Sequence, residues 1–173
     1  MIVDALQDYL FLIQLDLSHN RLEGTRGGAV ISRMFTRQCQ QRGGQELEHL
    51  NLSNNKLGSG GFAAITHQLI VNDYEELTLD VSYNEIKEVR LLVALDIASD
   101  RAFNVSSLIL DGNTFRTRTY YKLAALLAHA SMMSSVSLSK CKLGDDGLLI
   151  TFEALQPLRK LAKIDYSSNG IFD

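Results

Sequence analysis

The chain has no tryptophan, one proline and two cysteines among its 173 residues. A single proline excludes the proline-rich linkers that separate modules. Cys39 and Cys141 are too few for the disulfide framework of a small secreted module, and they read as free thiols of a reducing compartment. Long apolar runs are also missing. None approaches the ~20 residues of a membrane span. The apolar start, MIVDALQDYLFLIQL, is broken by Asp4 and Asp8, and it lacks the basic region and small-residue site of a signal peptide. The net charge is -3, without the basic stripe of a nucleic-acid binder or a polybasic membrane patch. These absences point to a soluble, cytoplasmic protein with no nucleic-acid and no membrane partner. With 46% hydrophobic residues, the chain can bury a core, and residues 1–173 read as one domain.

What is present is a repeat. LIQLDLSHNRL at Leu12 to Leu22 recurs as LEHLNLSNNKL at Leu47 to Leu57. Weaker copies are ELTLDVSYNEI, VSSLILDGNTF, MSSVSLSKCKL and LAKIDYSSNGI. Each copy has an anchor: Asn20, Asn55, Asn84, Asn113, Cys141 and Asn169, in steps of 35, 29, 29, 28 and 28 residues. Apolar residues stand five before the anchor (Leu15, Leu50, Leu79, Leu108, Val136, Ile164) and three before it (Leu17, Leu52, Val81, Leu110, Leu138, Tyr166). A third apolar column stands two after it (Leu22, Leu57, Ile86, Phe115, Leu143, Ile171). Eight before the anchor the column is looser, and Glu76 there is compensated by Leu77.

The second half of each unit has helical spacing. Phe62, Ile65 and Leu69 share one helix face, as do Leu91, Ala94 and Ala98, and Tyr120, Leu123 and Leu127. The fifth unit has Leu148 and Leu155, with Phe152 one place from the middle position. Gly58, Gly61, Gly144 and Gly147 suit a tight turn into that helix. Each unit is thus a strand, a turn, a helix and a return loop, and only stacking buries both faces. Two departures stand out. The first step is too long, so Arg37 to Glu46 should form a loop or lengthen the helix. NEIKEVRLL replaces the two-glycine turn in the third unit, whose helix should start differently.

The pattern L-x-x-L-x-L-x-x-N/C-x-L at this period resembles the ribonuclease-inhibitor-like class of leucine-rich repeats. The resemblance implies an α/β solenoid of about six repeats, with parallel strands on a concave face and helices on a convex one. It implies that the anchors lie inside their turns and bond backbone groups of their own and adjacent coils. It also implies a binding module, since members bind diverse proteins: nuclease inhibitors, immune receptors, actin regulators and activators of small GTPases. The partner is not chosen by membership.

A partner is expected on the strands. The positions four, two and one before the anchor should line the concave face, giving a mildly acidic strip of Asp16, Asn51, Asp80, Tyr83, Ile109 and Asp111. The same residues also fit an ordinary solvated strand face, and Tyr83 and Ile109 favour binding as anchors among small polar neighbours. Six strands ~4.8 Å apart and ~12 Å wide cover only ~350 Å², against ~800 Å² per partner in a stable interface. Turns or helix ends should therefore join in. MIVDALQDY reads as the helical half of a preceding repeat and neither end carries a polar cap, so further repeats or neighbouring subunits are expected to cover the ends.

No catalytic chemistry is found. His19, His49, His67 and His129 lack metal-ligand spacing. GTRGGAV lacks the P-loop lysine, and no nucleophile, base and acid can be grouped. Arg21, Arg26, Arg33, Arg37 and Arg42 read as a solvated helix face. The expectation is a non-enzymatic protein without cofactor or metal: a scaffold or assembly subunit of a larger complex. The alternatives are a regulator of an enzyme, of the small-GTPase activator or nuclease inhibitor type, and the sensing region of a larger receptor.

Overall fold

The computed structural model describes residues 12–40, 47–71, 76–89 and 103–172, with backbone alone at 37–40. The expected helical start at MIVDALQDY and the third helix stripe, Leu91, Ala94 and Ala98, lie outside these residues.

The order is β1 (Gln14–Asp16), α1 (Gly24–Gln40), β2 (His49–Asn51), α2 (Gly58–Val71), β3 (Leu77–Asp80) and β4 (Val105–Ile109). A 3-10 turn (Thr117–Thr119) then leads into α3 (Tyr120–Ala128), followed by β5 (Ser135–Ser137), α4 (Gly144–Leu155) and β6 (Lys163–Asp165). The strands form one open, six-stranded parallel sheet in chain order. The architecture is an α/β leucine-rich solenoid, with sheet on one side and helices on the other. α1 has 17 residues against 14, 9 and 12 in the others, so part of the long first step lengthens the helix, while residues 41–46 of the expected insertion lie outside the described residues.

Stacking makes the core. In the four middle coils, all twelve residues of the three apolar columns are buried, from Leu50, Leu52 and Leu57 to Val136, Leu138 and Leu143. In the first coil Leu15, Leu17 and Leu22 are only partly buried, and in the last Ile164 and Ile171 are exposed. Leu77 takes the place of Glu76: it pairs with Val105 across a register shift and is fully buried, while Glu76 is exposed at φ +58°. On α4, Phe152 does not fill the middle core position. Phe152 is exposed, and Thr151 lies inside, its hydroxyl donating to the Gly147 carbonyl at 2.7 Å. The Thr151 hydroxyl also accepts the Tyr166 hydroxyl at 2.9 Å, so this small polar residue is satisfied inside.

The anchors act as expected from the resemblance. The Asn55 amide donates to Leu17 O of the preceding coil and Leu52 O of its own, both at 2.9 Å, and its oxygen accepts the Leu22 N–H. Asn84, Asn113 and Asn169 repeat this arrangement, while among the described residues Asn20 donates to Leu17 O and Ser18 O of its own coil. Cys141 is the weaker substitute. Its thiol reaches Leu110 O and Ser139 O at 3.3 and 3.5 Å. Where the two-glycine turn is missing, the Ser59 hydroxyl of the preceding coil accepts the N–H groups of Lys87 and Glu88.

Cys141 is a free, buried thiol, and burial pushes its pKa up to about 12. Near pH 8 roughly one part in ten thousand is thiolate. In a Cys39→Ser protein, iodoacetamide should therefore label Cys141 only as fast as the solenoid opens. Mass spectrometry of the labelled protein over time, with and without urea, checks this. Rapid labelling without urea would mean that the fifth coil is not packed as described.

Candidate protein-binding face

In each unit the strand is short, and its alternation decides what faces out. With the columns five and three before the anchor turned inward, the neighbours six and four before it turn outward. Register aligns them across all six strands. One row is Gln14, His49, Thr78, Ser107, Ser135 and Lys163; the other is Asp16, Asn51, Asp80, Ile109, Ser137 and Asp165. The second row contains four of the expected strip residues: Asp16, Asn51, Asp80 and Ile109. The first row was not anticipated, although the two-residue period alone locates it.

The position two before the anchor departs from expectation. Ser53, Ser82 and Ser139 are buried, while Ser167 is exposed. The Asp80 carboxylate accepts the Ser82 N–H at 2.8 Å, and Asp16, Asn51 and Asp165 accept the same N–H in their own coils. These side chains thus close Asx turns before they are available to a partner. The Ser18 hydroxyl and N–H hold the Asp16 carboxyl below its ordinary value, and the Ser167 N–H and hydroxyl do so for Asp165. Ile109 cannot make this turn. Ser137 does not make it either. The Asp111 carboxylate reaches over from the preceding coil to accept the Ser139 N–H at 2.9 Å and the Ser137 hydroxyl at 2.6 Å. Asp111 is therefore a half-buried brace beside the strip.

The position one before the anchor is not on the strand. His19, Asn54, Tyr83, Gly112, Lys140 and Ser168 all have φ between +52° and +67°. That left-handed residue swings the anchor inward and turns its own side chain onto a rim along the C-terminal ends of the strands. The rim stays regular because these residues donate N–H groups to the next coil, as Tyr83 does to Asp111 O at 2.7 Å and Gly112 to Ser139 O at 2.9 Å. Tyr83, 44% exposed, lies on this rim and not among the strand residues. Its ring rests against Gly112: a Cβ there would sit inside the ring's van der Waals surface, with Cζ at 3.0 Å. His19 on the rim and His49 on the strand do not come together in one row. Among the described residues no three His, Cys, Asp or Glu groups could hold a metal ion. Among them also, no helix is long and apolar enough to cross a membrane.

Two family models match the chain, both described as leucine-rich repeat, at residues 46–67 and 129–149. The first takes in β2 and part of α2, and the second takes in β5 and the start of α4. A comparison with curated proteins gave no match.

Proposed function

We propose that this leucine-rich repeat protein is a non-catalytic binding module that holds a protein partner on the sheet side of its solenoid, as a scaffold or assembly subunit. Leucine-rich repeat domains are generally protein-interaction modules and are typically non-catalytic. The observation that carries the proposal is the register-matched pair of outward rows with Ile109, an apolar side chain free of the Asx turn, at its centre. Thr78, Ser107 and Ser135 around it are small, so a partner surface can approach closely. The rim beside the rows supplies the further area that a ~350 Å² strip lacks.

The test is affinity capture with mass spectrometry, comparing the wild type with Ser107→Lys/Ile109→Lys. Both substitutions lie on the outward side of β4 and leave every Asx turn intact. The variant should fold normally by circular dichroism and lose the partner captured by the wild type. Unchanged capture would move the binding site off the strand rows.

A further inference from the structure

Charge is divided sharply on the sheet side. The strand rows with Asp111 carry four carboxylates, Asp16, Asp80, Asp111 and Asp165, against Lys163. The rim positions one before and one after the anchors carry Arg21, Lys56, Lys140 and Lys142 against a single carboxylate, Glu85. Lys56, Lys140 and Lys142 are exposed. Arg116 nearby is committed to Glu88 at 3.1 Å. Between Lys56 and the Lys140–Lys142 pair lies the Tyr83 ring, seated on Gly112, beside a hollow lined by Glu85, Lys87 and Thr114.

We infer that this rim binds an extended acidic segment of a partner protein, with an apolar side chain on Tyr83 and carboxylates reaching Lys56 on one side and Lys140 and Lys142 on the other. The inference rests on the reading of the chain as a protein-binding module and adds a second, oppositely charged surface to it. Tyr83 has the features of an interface anchor. It is a large aromatic whose ring already rests on a side-chain-free surface, so less rotamer freedom is lost when it is covered. Coils ~4.8 Å apart place Lys56 and Lys142 ~15 Å apart, the reach of about five extended residues. The neighbouring aspartates favour a protein segment with few, spaced charges over a nucleic acid, whose continuous phosphates they would repel.

A peptide with one glutamate before a phenylalanine and two after it, spaced by alanines, is the probe, titrated into the ¹⁵N-labelled protein. Amide shifts should concentrate at Lys56, Tyr83, Gly112, Lys140 and Lys142. Affinity should fall about tenfold in Tyr83→Ala and at least about tenfold in Lys140→Glu/Lys142→Glu. It should weaken steeply with salt. Shifts confined to the strand rows, binding that survives the charge reversal, or tighter binding of an oligothymidine at the rim would overturn the inference. Any of these leaves the strand-face proposal standing, because that proposal is read from capture by the β4 variant.

Discussion

Asn113→Ala should lower the stability of the protein by about 3–5 kcal/mol, read as the shift in its urea unfolding transition. Asn113 is fully buried. Its oxygen accepts the N–H groups of Asn84 and Ile86, both at 3.0 Å, and its amide donates to Val81 O at 2.9 Å and Leu110 O at 2.8 Å. Alanine leaves these groups of two coils buried without that partner, and each buried unpaired group costs about 1–3 kcal/mol. Asn20→Ala is the internal comparison. Asn20 is exposed and, among the described residues, bonds its own coil, so its loss should cost under about 1 kcal/mol. Equal effects at the two positions would mean that the anchors do not tie coil to coil.

Gly28→Ala should also destabilise, by about 1–3 kcal/mol net, although alanine is the better helix former by about 1 kcal/mol. Here α1 and α2 touch backbone to backbone. A Cβ at Gly28 would lie 2.6 Å from the Gly61 Cα and closer still to its carbonyl oxygen. A backbone cannot step aside as a side chain can, so the helices must part. That also strains the bond from the Ser32 hydroxyl to Ala64 O at 2.9 Å. Gly60→Ala makes the same chemical change on α2, yet its Cβ meets only the Thr25 side chain within 3 Å. It should be neutral or mildly stabilising. Thermal unfolding of the two variants separates the cases, and a stabilised Gly28→Ala would contradict the close helix contact.

Repetition made the fold legible in the sequence. Leu50, Leu79, Leu108 and Val136 recur at one offset because each coil presents the same face to its neighbours, and the structure buries all four. The site was legible only in part. Asp16, Asn51, Asp80 and Ile109 do face outward together. The row from Gln14 to Lys163 was hidden because its residues share no chemistry, so only strand geometry reveals it. The fate of Tyr83 depends on a backbone dihedral, φ +52°, that no apolar period encodes. The D-x-S or N-x-S spacing at Asp16, Asn51, Asp80 and Asp165 was a readable signal for Asx turns. Phe152 stands one place off the stripe, as its spacing says, and the middle position goes to Thr151, a polar residue that no apolar period marks but that satisfies itself on the backbone.

Binding on the sheet side, and not on the helices, is the functional claim on which the rest depends. Carbodiimide labelling of carboxylates in the free protein and in its captured complex tests it directly. Asp80 stands on the outward strand row, and Glu153 is exposed on α4. Protection of Asp80 in the complex with Glu153 labelled as before is expected. Protection of Glu153 with Asp80 still labelled would contradict it.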